Sequence, residues 1–121
     1  MKIAIIGSRN LRADNLNEYV SEGDEIVSGG AKGIDECAAE YAKKRGIKLT
    51  EFLPEYGKYG RAAPIVRNKQ IVDYADKVVA FWDGKSKGTQ SVIKYAEKTG
   101  KECIIIMCSP MENGESKSPN G

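Results

Sequence analysis

The sequence predicts an α/β domain of three-layer Rossmann-like type, with a parallel five-stranded sheet between helices on both faces. Three observations predict it. Short apolar runs bounded by glycine or polar turns alternate with helical patterns along almost the whole chain, which is how a succession of βαβ units reads in sequence. The first, fourth and fifth of those runs show no polar alternation, as strands buried on both faces require. Glycines cluster where strands would turn into helices, at Gly7, at Gly29, Gly30 and Gly33, and at Gly84 and Gly88. A single domain accounts for 121 residues, and a chain of that length buries about two-thirds of its unfolded surface around one core.

The elements follow in order. A strand over Lys2–Ile6 ends at Gly7; Asn15, followed three residues later by Glu18, has the form of a capping box opening a short helix through Val20. A second strand covers Glu25–Ser28. The helix Ala31–Arg45 repeats Ile34, Ala38 and Tyr41 on one face, with Lys43, Lys44 and Arg45 in its last turn and Gly46 as its cap. A third strand spans Ile47–Phe52, and the connection Leu53–Arg61, rich in aromatics, cations and glycines, is long enough for a lid. Pro64 starts a helix through Ala75 with Ile65, Val72 and Ala75 inward. A strand over Lys77–Trp82, a helix over Gly88–Thr99 closed by Gly100, and a strand over Glu102–Met107 complete the domain, residues 1–108. From Ser109 onward periodicity and apolar content fall away, which predicts a disordered tail.

Composition narrows the chemistry. The cysteines Cys37, Cys103 and Cys108 are odd in number and match neither a disulfide framework nor a paired zinc motif, so a reducing compartment is expected, with Cys103 in the core. Histidine is absent, which removes the commonest general base near neutral pH and the commonest transition-metal ligand. No metal or cofactor is expected. A net charge of +2 is well short of a dedicated duplex-DNA binder. The apolar run Ile3-Ala4-Ile5-Ile6 is too short for a signal sequence or a membrane span, so the expectation is a soluble, cytoplasmic protein with no membrane partner.

Ligands of an open parallel sheet bind beyond the carboxyl ends of its strands, where the strand order reverses. Three loops should gather there: Gly7-Ser8-Arg9-Asn10, Ser28 to Asp35, and Asp83 to Thr89. Each joins glycines to a helix start, and unpaired N–H groups with the helix dipole favour an anion. Lys32, Lys85 and Lys87 reinforce that sign, and Ser8, Ser86 and Thr89 offer hydroxyls, which together point to the phosphate of a nucleotide-type small molecule. Gly29, Gly30, Gly33, Ser86, Gly88 and Thr89 would hold it, with Arg9, Lys32 and Arg67 supplying charge. The glycine spacing matches neither a Walker A loop nor a GxGxxG fingerprint, which argues against an ordinary NAD dehydrogenase.

Asn68 falls on the inward stripe of its helix, so it either ties down a neighbouring glycine loop or contacts ligand. Arg67, one step round, reaches the rim for a phosphate or carboxylate, or pairs with Asp73 or Glu55. Asp35 suits the helix dipole or a ribose hydroxyl. Tyr56, Tyr59 and Trp82 either stack on a base or pack their loops, and Asp76, before the fourth strand, is read as structural.

The segments Gly7-Ser8-Arg9, Val27 to Asp35, Arg67 to Val72, Ala75 to Gly84 and Ser86-Lys87-Gly88-Thr89, in that order, resemble the SLOG superfamily. That group takes in stand-alone YspA/YpsA-like proteins, the core of the DNA-processing protein DprA (Smf) and the Lonely Guy phosphoribohydrolases. The likeness runs from residue 1 to about 107. It implies strand order 3-2-1-4-5, a nucleotide-type ligand and a homodimer. In the phosphoribohydrolases an arginine and a glutamate cleave an N-glycosidic bond; Arg67 matches the arginine, as candidate catalytic residue, but Gln90-Ser91-Val92 stand where the glutamate is expected, leaving Asp83, Glu36 or Asp35 as substitutes. The leading expectation is therefore binding or sensing of a nucleotide. The alternatives are nucleoside 5′-monophosphate phosphoribohydrolase activity and binding of single-stranded nucleic acid, the last through Tyr56, Lys58, Tyr59 and Arg61.

Overall fold

The computed structural model describes residues 1–109. Five strands, β1 (Lys2–Gly7), β2 (Glu25–Ser28), β3 (Lys48–Glu51), β4 (Lys77–Trp82) and β5 (Glu102–Met107), pair in parallel in the order β3-β2-β1-β4-β5. This is the order the resemblance implies. The period of two along β1 sorts its side chains between two layers. Ile3 and Ile5 pack with Ile34, Cys37, Ala38 and Ala42 of α1 (Ile34–Arg45), whereas Ala4 and Ile6 pack with Ile71 and Val72 of α3 (Ala63–Tyr74) and Val92, Ile93 and Ala96 of α4 (Lys87–Thr99). Each fully buried Ile or Val of these layers contributes about 1.5–3 kcal/mol. Ala38 and Ala42, with almost no exposed surface, let α1 lie close to the sheet.

The chain departs from the sequence reading at identifiable places. Asn15 caps nothing with its side chain; the segment is a single 3-10 turn, Leu16–Glu18, held by burial of Leu16 and Val20 and by the edge of Tyr19 against Phe81, with ring centroids 5.9 Å apart. α1 starts at Ile34 rather than Ala31, because Gly30 and Gly33 take φ of +70° and +74°, outside helical space. β3 is shorter at both ends: the Ile47 N–H donates to Ala42 O, in the closure of α1 around the left-handed Gly46.

The connection after β3 is less a lid than a short helix, α2 (Tyr56–Tyr59), running through a 3-10 turn, Gly60–Ala62, into α3. Ile65 is not on the buried stripe. It lies in the first turn of α3 and is 51% exposed, and Ile71 joins Val72 and Ala75 in the core instead. Cys103 is half-buried at the edge of the second layer rather than within it, and all three cysteines are free. The tail read as disordered lies, from residue 110, outside the described residues.

The amino ends of the strands are tied by polar contacts. Asp76 Oδ2 accepts from the Lys2 N–H at 2.7 Å, and Glu25 Oε2 accepts from the hydroxyls of Thr50 and Tyr74, both at 2.6 Å. Among the described residues no helix is long and apolar enough to cross a membrane.

Candidate functional site

β1 and β4 are neighbours from which the chain leaves in opposite directions, so their carboxyl ends open a crevice that no connection crosses. A cleft of about 190 Å³ lies there. Ile6, Ile71 and Val92 floor it, Gly29, Ala31 and Asp35 form one wall, Arg67 and Asn68 of α3 a second, and Ser86, Gly88 and Thr89 at the start of α4 the third, with Gly7 and Arg9 between. It continues into an outer lobe of about 500 Å³, bordered by Arg9, Arg67, Gly30, Lys32, Pro54 and Tyr56.

The wall at α4 is open. The first intrahelical bond of this helix runs from the Gln90 N–H to Ser86 O at 3.1 Å, which leaves the N–H groups of Lys87, Gly88 and Thr89 without a protein acceptor among the described residues. Ser86 contributes no side-chain cap; its hydroxyl lies 3.4 Å from Thr89 Oγ1. Nothing lies within 4 Å of a Cβ built at Gly88. Trp82 holds this loop from outside, its Nε1 donating to Ser86 O at 3.0 Å, and does not line the cleft.

The glycine-loop wall is different, and here the expectation of free amides is corrected. The Gly30 N–H donates to Ser28 Oγ at 3.3 Å, the Ala31 N–H to Asp35 Oδ2 at 3.1 Å and the Gly33 N–H to Glu36 Oε1 at 3.2 Å. The same holds beside α4, where Asp83 Oδ1 accepts from the N–H groups of Lys85 and Ser86, both at 2.8 Å. Those two bonds hold the Asp83 carboxyl below its ordinary range. Asp35 goes the other way: it is 6% exposed, and burial pushes its pKa up, against the pull of the Ala31 and Gly29 amides and of the Arg67 charge, while Glu51 adds to the rise.

Arg67, rather than Asn68, ties down the glycine loop, donating from Nη1 to Gly29 O at 2.7 Å, and Nε donates to Asn68 Oδ1 at 2.9 Å. Asn68, 8% exposed, thus fixes the guanidinium, and its own Nδ2 has no protein acceptor among the described residues. Arg67 makes no pair with Asp73, which instead accepts from Tyr95 at 2.9 Å, nor with Glu55. Its Nη2 has no protein acceptor among the described residues, and Arg67 lines both lobes.

Three of the expected site residues stand behind the cleft rather than in it. Ser8 is buried, donating its N–H to Phe81 O and accepting the Asp83 N–H on its hydroxyl, which clamps the first and third loops together. Gly33 abuts Arg9 O, and Asp83 holds the α4 loop. Lys85 and Lys87 border neither lobe, whereas Gly30 and Lys32 border the outer one. Sequence reasoning missed Pro64 and the floor residues Ile6, Ile71 and Val92, whose apolar pattern is the same as that of any core position.

Residues 1–59 match the family model described as the YspA, cpYpsA-related SLOG family. This match supports membership of the SLOG superfamily. The match covers β1 to β3, α1 and α2 and stops short of α3 and α4, so the placing of Arg67, Asn68 and the α4 wall rests on geometry. No curated protein matches the chain.

Proposed function

We propose that this SLOG domain binds a nucleotide or nucleotide-derived ligand, its phosphate at the start of α4 and its base toward the outer lobe. The observation that carries the reading is the row of unpaired N–H groups at Gly88 and Thr89, across the cleft from an arginine with a free donor edge. An anion there meets backbone donors, the helix dipole and a guanidinium already oriented by Asn68. Arg9 adds charge at the junction of the lobes, and Tyr56, 61% exposed, offers a ring at the outer rim. Isothermal titration against a panel of nucleoside mono- and diphosphates and ADP-ribose tests this; a panel with no member binding tighter than about 1 mM overturns it.

One observation favours a second reading, N-glycosidic hydrolysis of a nucleoside monophosphate. Cleavage through an oxocarbenium-like state needs a carboxyl group beside the sugar, and of the substitutes for the missing glutamate only Asp35 borders the inner cleft, near Arg67. Asp83 is engaged by its own loop and Glu36 borders the outer lobe. Chromatographic detection of free base, lost in both Asp35→Asn and Arg67→Ala, supports hydrolysis; an undiminished rate in either variant excludes this route.

A further inference from the structure

We propose that Asp35 is the specificity-determining residue of the cleft: it fills the glycine loop with the protein's own carboxylate, so that this wall accepts hydroxyl or amino donors of the ligand and refuses a second anionic group. The inference rests on the nucleotide-binding reading above and adds to it a polarity, one anion at the α4 wall and a donor at the glycine-loop wall.

The geometry is asymmetric. The start of α4 carries no acidic side chain in its first turn, whereas the start of α1 carries Asp35 and Glu36. Asp35 is more than nine-tenths buried and borders the inner cleft. Ala31 and Gly29 supply it with backbone donors, and a carboxylate has about four acceptor sites, so acceptor capacity remains for a ligand. Among the described residues no cation forms an ion pair with it: the Arg67 charge on α3 acts on it, but Nη1 and Nε of that side chain are committed to Gly29 O and Asn68 Oδ1. Glu51 from β3 faces it with like charge, Glu36 on its own helix is bound to the Gly33 N–H, and Arg9 from the β1 loop borders the same lobe. A phosphate brought against this wall would have to displace an internal anion from its amides and then sit beside it, whereas a sugar hydroxyl or an exocyclic amino group would donate to it.

The probe pair is adenosine 5′-monophosphate and adenosine 3′,5′-bisphosphate, which differ by an anion where a hydroxyl stood. The quantity read is the ratio of their dissociation constants, by titration calorimetry at pH 8, where the phosphates are fully ionised. With the wild-type chain the bisphosphate should bind at least about tenfold more weakly. In Asp35→Asn, which keeps an oxygen for the Ala31 N–H, the ratio should be near one; Asp35→Ser serves the same purpose with a smaller side chain. A ratio near one in the wild type, or one that neither substitution changes, overturns the role of Asp35 and leaves nucleotide binding standing. Failure of the wild type to bind either probe or any nucleotide of the panel overturns the binding reading itself, and this inference with it.

Discussion

Two helix starts face each other across one cleft, and the chain treats them in opposite ways. At α1 the loop amides of Gly30, Ala31 and Gly33 are taken by Ser28, Asp35 and Glu36. At α4 the amides of Gly88 and Thr89 are open and no carboxylate sits in the first turn. Both starts are glycine-rich, and glycine content alone does not say which is which. The difference is made by acidic side chains: an Asp in the first turn folds back on the loop that precedes it and occupies the ground an anion would take.

The glycines themselves give the largest test of this contrast. Gly33 is demanded by the backbone, with φ +74° and ψ −119° and with a Cβ at 2.5 Å from Arg9 O. Gly33→Ala should therefore cost about 3 kcal/mol or more, read as a lowered urea midpoint, because both strain and a clash with main chain are incurred. A loss within about 0.5 kcal/mol would mean that the loop relaxes and that its shape is not fixed by this residue.

Next in size is Arg67, which serves both walls. Arg67→Ala removes the anchor of the Gly29 carbonyl as well as the charge facing α4, and nucleotide affinity should fall by about ten- to a hundredfold, the worth of a charge-assisted hydrogen bond. Arg67→Lys should restore little of it, since one ammonium cannot serve Gly29 O, Asn68 Oδ1 and a ligand from the planar fork that a guanidinium provides. Full affinity in Arg67→Ala would leave the α4 amides as the sole anion site.

Gly88 is the counterpart of Gly33. Nothing lies within 4 Å of a Cβ there, so Gly88→Ala should leave the unfolding midpoint unchanged or raise it slightly, while the added methyl intrudes where an anion would approach and affinity drops by about tenfold. Stability and binding should thus separate at Gly88. A variant that binds as the wild type does would move the anion away from the start of α4.

The fold was legible because its signals are local and repeated: the apolar runs of β1, β4 and β5 carry their own burial, and Gly46 and Gly100 mark helix ends by composition. The site was legible only as a neighbourhood. That Ser28, Gly29 and Ser86 to Thr89 meet follows from the topology, but which amides stay free depends on where Asp35, Glu36 and Asp83 turn their carboxylates, and no spacing rule encodes that. The tie from Arg67 to Gly29 and Asn68 is hidden for a similar reason. Adjacent residues on a helix seldom face one another, yet the arginine side chain curls back on its neighbour to reach Gly29.

The smallest effect separates the carboxylates that hold the two loops. Asp83, held below its ordinary range by the Ser86 and Lys85 amides, stabilises the fold above its unfolded value of 3.8 and loses that contribution as pH falls through its lower folded value. Asp35 has the opposite sign, since its folded value is raised by burial: the folded state holds its proton longer than the unfolded one, so stability is lost as pH rises from 3.8 through the folded value. Asp83→Ala should therefore cost about 1 kcal/mol at pH 7, the net worth of a hydrogen bond, and progressively less in acid. Asp35→Asn, which keeps the acceptor for Ala31 and sheds the buried charge, should be neutral or stabilising at pH 7, with any gain vanishing below pH 3.8. Urea titrations of the two variants along the same pH series check both slopes. If Asp35→Asn destabilises the protein as Asp83→Ala does, the buried carboxylate is a net support of the glycine loop, and the two helix starts differ in occupancy without differing in electrostatic cost.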